Sequence, residues 1–204
     1  MSDKVYICGN GILTNPGDAK DWNRRAAIWI EEHAKPARAQ PYLYFQDIIF
    51  RRLFQQKRVD ELIAIVKSFE EDEFDIYLVG HSNFCDIICR LLQKWDGMIS
   101  EVHLIAGACE ANCEKNGINA ALKQGRLAKA FIYVSADDSA LKSAKLSETI
   151  LGWAGLGYGS MGLTGPVNRA IRTRVIRRDS YDHSTWFDDD HFDETMRLIT
   201  NQVL

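Results

Sequence analysis

The succession of apolar runs along this chain predicts an α/β protein: a mostly parallel central sheet with helices on both faces, a three-layer sandwich without a large inserted cap. Three observations carry that expectation. Short β-branched and aromatic runs alternate with stretches of helical spacing along nearly all of the 204 residues. The runs at 76–79 (IYLV) and 102–106 (VHLIA) are almost continuously apolar, as strands buried on both faces must be. No repeat, low-complexity tract or linker divides the sequence, so residues 1–204 read as one domain.

VYIC (5–8) reads as the first strand, followed by a Gly/Asn/Pro loop and a helix from Asp21 to His33. YLYF (42–45) is expected as the second strand, on its aromatic content, and 47–69 carries mostly helical spacing. IYLV forms the third, leading into a helix over 84–94, and VHLIA the fourth, before a helix over 118–128. FIYVS (131–135) is the fifth, with a helix from about 139 to 151. TRVIRR (173–178) is the sixth, and DETMRLITNQVL closes the chain as a helix. Between the last two strands, residues 151–166 hold six glycines. No clear strand precedes this segment and no helix opens on it, which argues against a dinucleotide fingerprint. It reads as a loop bordering the site, where Trp153, Tyr158 and Met161 are either apolar pocket contacts or packing residues.

Bulk properties narrow the function. A composition 46% apolar and 26% charged, with a formal net charge of -3, gives no electrostatic reason to expect nucleic acid or an anionic membrane as partner. MSDK leads directly into VYIC without the features of a signal peptide, and no apolar run reaches the roughly 18 residues of a membrane span. A cytoplasmic location is expected. Cys8, Cys85 and Cys89 lie in apolar stretches and read as reduced core thiols; Cys109 and Cys113 lack a second ligand pair, so two free thiols are expected there rather than a zinc site.

The chemistry concentrates at GHSNFCD (80–86). A strand running through Gly-His-Ser into a helix has the form of a nucleophile elbow, in which a sharp turn lifts the serine hydroxyl above the sheet edge. Ser82 is the candidate nucleophile; as the residue before a helix it reads equally well as an N-cap. Positions two residues to either side should be small. Gly80 is, whereas Phe84 is not.

A hydroxyl nucleophile needs a base, and the base needs a carboxylate to fix its tautomer. Asp137 and Asp138 follow the fifth strand in ADDSAL, and His183 follows the sixth in DSYDHS. Their chain order, serine then acid then histidine, matches that of the elbow architecture. Asp138 is favoured over Asp137 because a helix opens directly after it, and His183 over His191 because it lies nearer the strand end. His81 is expected to point away from the serine side chain. The oxyanion donors would be the backbone N–H of Asn83 and that of Asn10 or Gly11, in the loop after the first strand.

Taken together, CGN after the first strand, GHSNFCD, YVSADDSAL and DHSTWF resemble the α/β-hydrolase superfamily, and within it small hydrolase-like proteins with a GHS-N-x-x-D elbow. The resemblance spans most of the chain. It implies an esterase, lipase or related acyl hydrolase acting on a small-molecule ester, with Ser82, Asp138 and His183 as nucleophile, acid and base and with no metal or organic cofactor. Two positions depart from the pattern: Phe84, and Cys8, where relatives often carry a histidine. The alternatives are an inactive hydrolase-fold binding or scaffolding protein, and an unrelated α/β enzyme that uses the glycine-rich loop for a nucleotide. Five arginines between Arg169 and Arg178 read as a paired outer edge of the sheet or as a grip for phosphate or carboxylate, and the acidic run Asp188, Asp189 and Asp190 reads as solvated surface.

Overall fold

The computed structural model describes residues 3–11, 21–44, 51–143 and 159–201. Among the described residues six strands make one sheet: β1 (Lys4–Gly9), β2 (Ala37–Tyr42), β3 (Asp75–His81), β4 (Ile99–Ile105), β5 (Leu127–Val134) and β6 (Thr173–Arg177). All neighbours pair in parallel, in the order β2-β1-β3-β4-β5-β6. The helices are α1 (Trp22–His33), α2 (Arg51–Glu71), α3 (Phe84–Lys94), α4 (Ile118–Lys123), a four-residue α5 (Met161–Thr164) and α6 (Phe192–Ile199), with a 3₁₀ turn at Thr185–Phe187.

Strand periodicity divides the core in two. Val5, Ile7, Ile76, Leu78, Val102 and Leu104 face the side covered by α2, α3 and α4. Their alternates Tyr6, Cys8, Tyr77, Val79 and Ile105 face α1 and α6. Successive side chains in a strand point to opposite faces, so strands covered on both sides must be apolar at every position. Each such side chain contributes about 1.5–3 kcal/mol by leaving water. Helix α3 buries Phe84, Cys85, Ile87, Ile88, Leu91 and Leu92, which leaves Asp86 and Arg90 to pair across its outer side.

Several boundaries differ from the sequence expectation. The second strand is ARAQPY at 37–42, and of the expected YLYF only Tyr42 belongs to it. Because β2 is an edge strand, it is only half covered and tolerates Pro41, whose missing N–H costs nothing on an unpaired edge. Tyr44, instead of extending the sheet, turns inward toward Phe84. Helix α4 stops at Lys123, and a turn through Gly125 at φ +77° starts β5 four residues before the apolar run that flags it. Most of the expected strand and helix starts elsewhere fall within a few residues. The expected helix at 139–151 is helical over 139–143, and its remainder lies outside the described residues.

The sheet order fixes where a ligand can bind. Strands β1 and β3 are neighbours, and the chain winds outward in opposite directions from them, which opens a crevice beyond their carboxyl ends. Gly9 and Gly80 pair across that point, so the loop after β1 faces the turn after β3. Among the described residues no helix is long and apolar enough to cross a membrane.

Candidate active site

Only Ser82 and Asn83 separate β3 from α3, which forces a sharp reversal. Ser82 takes it up with φ +55°, a left-handed conformation costing a non-glycine residue about 1–3 kcal/mol. Tertiary hydrogen bonds hold it there. Its N–H donates to Ile105 O at 3.0 Å, and its carbonyl accepts from Cys85 N at 3.2 Å and Ala108 N at 3.1 Å. Gly80 is small because it must be: a Cβ there would lie 2.8 Å from Ile88 Cδ1 and 3.1 Å from Cys85 N.

Phe84 leaves the turn tight. Its ring is fully buried, with centroids 5.1 Å from Tyr42 and 6.0 Å from Tyr44, and it lies across the end of β1. There Gly9 provides the room, since a Cβ on Gly9 would come within 2.3 Å of the Phe84 ring. Space that elbows usually obtain from a small residue after the serine is obtained here from the neighbouring strand.

Asp138 and His183 meet. Asp138 is fully buried at the end of β5; its Oδ2 lies 2.7 Å from His183 Nδ1, and its Oδ1 accepts from Leu141 N at 2.8 Å. Since a carboxylate can only accept, Nδ1 carries the proton, and the lone pair of a neutral His183 is on Nε2. Asp137 is exposed and pairs with Lys142 at 3.0 Å, while His191 pairs with Asp188 at 2.7 Å. No direct hydrogen bond joins Ser82 Oγ to His183. The link between the two runs through the residue next to the serine.

That residue is His81, which does not turn away from the site. Its ring lies 4.7 Å from that of His183, and its Nε2 is 2.9 Å from the His183 carbonyl oxygen. The carbonyl must accept, so Nε2 bears the hydrogen. Burial, with the nearby His183 adding to it, holds the His81 pKa down to about 3, so the ring stays neutral. On its other side the His183 N–H donates to Asp182 Oδ1 at 2.8 Å. Asp182 also accepts from Ser139 N at 2.8 Å and from Ser139 Oγ at 2.8 Å. These bonds, led by that from the Ser139 N–H, lower the Asp182 pKa. The loop carrying His183 is thus tied to β3 by His81 and to the loop carrying Asp138 by Asp182. DH at 182–183 was readable as a pair, but nothing local signals that Asp182 reaches Ser139.

Asn10 organises the opposing loop. Its side-chain oxygen accepts from Trp22 Nε1 at 2.8 Å and from Gly11 N at 2.9 Å, and its carbonyl accepts from Tyr44 OH at 2.8 Å. Asn83 Nδ2 reaches the same hydroxyl at 3.3 Å, so Tyr44 bridges the two sides of the crevice. Among the described residues, no backbone carbonyl takes up the main-chain N–H of Asn10 or that of Asn83. A Cβ added to Gly11 would stand 3.2 Å from Ser82 Oγ, so the loop lies directly against the hydroxyl.

Other sequence candidates have different places. Met161 is wholly buried against Cys109, with 3.8 Å between the sulfurs, and so packs the core; Trp153 and Tyr158 lie outside the described residues. All five cysteines are free and buried, and burial raises the Cys8 thiol to about 12. Among the described residues no cluster of His, Cys, Asp or Glu could hold a metal ion. In the acidic run, Asp188 binds His191 and Asp189 pairs with Arg25 at 3.0 Å.

No protein-family model matches the sequence, and no curated protein matches it. Solved structures do match its fold. A Xanthomonas campestris protein assigned to the alpha/beta superfamily of hydrolases superposes with a TM-score of 0.59 at 13% identity, covering 98% of this chain and 97% of its own. Est1E from Butyrivibrio proteoclasticus gives 0.57 at 10%, covering 98% and 87%. An alpha-beta serine hydrolase homologue from Coxiella burnetii gives 0.55 at 11%, covering 98% and 85%. The chain has the α/β-hydrolase fold.

Proposed function

We propose that this protein is a serine hydrolase that cleaves an ester or related acyl bond in a small molecule. The observation that carries the reading is the buried Asp138 carboxylate 2.7 Å from Nδ1 of an imidazole whose backbone is tethered beside a strained, hinge-borne serine. The fold shared with a serine hydrolase homologue supports it. In the reaction, Ser82 Oγ attacks the substrate carbonyl carbon while His183 Nε2 takes its proton, and Asp138 stabilises the imidazolium. The main-chain N–H groups of Asn83 and Asn10 receive the tetrahedral oxyanion. Collapse breaks the bond to the leaving group, which departs with the proton from His183. Water, deprotonated by the same imidazole, then attacks the acyl-enzyme and regenerates Ser82. The Ser82–His183 hydrogen bond forms as substrate engages, as such bonds commonly tighten in the Michaelis complex.

Fluorophosphonate labelling, together with a screen of short- and long-chain p-nitrophenyl esters, tests the reading. Stoichiometric modification and turnover, both lost in Ser82→Ala, are expected. A folded wild-type protein that neither labels nor turns over any ester would instead make the chain a silent binding protein on a hydrolase fold.

A further inference from the structure

Far from the crevice, with β4 and β5 between it and β3, strand β6 borders a groove of about 650 Å³ against α6. Phe131, Ile176 and Leu198 provide apolar walls, and Arg169, Arg174 and Arg197 stand around them. We propose that this groove binds an extended acidic segment of a partner protein.

The arginines supply the first argument. Arg25, Arg58, Arg90, Arg177 and Arg178 each meet a carboxylate, and Arg172 donates to the Leu122 carbonyl. Among the described residues, Arg169, Arg174 and Arg197 meet none, although the whole chain carries a net charge of -3. Glu194, the acidic group on the groove, is already bound by Arg178 at 2.5 Å and does not neutralise them. Three arginines without a carboxylate partner among the described residues thus line one cleft.

The position of β6 supplies the second. It ends the sheet, so among the described residues one row of its main-chain N–H and C=O groups has no strand beside it. An extended chain can use that row, its carboxylates can pair with the arginines, and its alternate side chains can cover the apolar walls. A two-fold contact between copies of this protein along β6 would bring two identical arginine-bearing edges together, and an inorganic anion would leave the apolar walls uncovered. The surface continues into the segment that leads to β6, where Val167 is 52% and Ile171 99% exposed.

Fluorescence anisotropy tests this with a fluorescein-labelled octapeptide of alternating Glu and Val, a Gln/Val control, and an Arg174→Glu/Arg197→Glu variant. Saturable binding of the Glu peptide is expected, weakened about tenfold or more by either the Gln substitution or the variant. Ester turnover and the melting temperature of the variant should match wild type. Equal binding of both peptides, no binding, or undiminished binding by the folded variant would overturn the proposal. So would displacement of the peptide by an RNA oligonucleotide at equal concentration, or self-association of the wild type that the variant abolishes. Repeating the titration in Ser82→Ala keeps the outcome independent of whether the crevice is catalytic.

Discussion

Two histidine–carboxylate pairs, one inside the sheet and one beyond its carboxyl ends, have different fates. His103 on β4 lies 3.4 Å from Glu101, with Tyr133 OH 3.0 Å from its Nδ1 and its ring stacked on Phe131. It is fully buried, and burial prevails over the pull of Glu101 to keep its pKa below the ordinary histidine value. Glu101 is also occupied by Lys129 at 3.3 Å and Asn201 at 2.9 Å. His183 shares one nitrogen with Asp138 and retains 21% side-chain exposure, and among the described residues its Nε2 forms no hydrogen bond. The first pair is shut away from solvent, each ring nitrogen facing a protein side chain. The second has a vacant proton acceptor at the carboxyl ends of the strands. A histidine beside an acid is therefore available for chemistry only when one of its nitrogens is open to a ligand.

The strongest way to break this comparison is to disable each pair in turn. Asp138→Asn or His183→Gln should lower kcat/KM for a p-nitrophenyl ester by about 10³-fold or more. His103→Gln should leave it within about twofold while lowering unfolding free energy in urea by about 1–3 kcal/mol. Equal losses of activity in both pairs would erase the distinction.

Next in size is the elbow beside the open pair. Gly9→Ala forces a methyl onto the Phe84 ring and should destabilise by about 1–3 kcal/mol. In the Gly9→Ala/Phe84→Ala double variant that clash is gone, so the cycle should show a coupling of about 1 kcal/mol or more. Strict additivity would mean that Gly9 is not what accommodates the ring.

Asp182→Asn should have a smaller effect, lowering kcat about tenfold with KM nearly unchanged, because it loosens the His183 loop without touching substrate. Ser139→Ala should act in the same direction and more weakly. A rise in KM alone would place Asp182 in substrate binding instead.

A last effect is on stability against pH. The folded His81, held to about 3, refuses a proton that the unfolded chain takes up near 6.5. Its contribution to stability is complete above that value and is lost as pH falls, at up to about 1.4 kcal/mol per pH unit. Urea titrations between neutral pH and pH 5 should show that slope, flattened in His81→Gln.

Much of this was legible because the signals are local. Continuous apolar runs mark strands buried on two faces, and GHS between a strand and a helix marks a hinge. The expectations about β2 and β5 went astray where tertiary position overrode propensity: an edge strand needs only one apolar side, so ARAQPY pairs while aromatic Tyr44 turns inward. Choosing Asp138 over Asp137 on a following helix start, and His183 over His191 on distance from a strand, used chain position to infer spatial position. The hydrogen bonds of these four residues come from the folded arrangement alone.

The sequence by itself determined the alternation of strands and helices, the serine hinge and the order in which acid and histidine follow it, because each is written in neighbouring residues. Only the tertiary structure decided that Gly9 makes room for Phe84, that Asp182 and His81 hold the His183 loop from two sides, and that three arginines around one groove meet no carboxylate among the described residues. Those outcomes depend on which atoms meet across dozens of intervening residues, and meeting is a property of packing that no local pattern encodes.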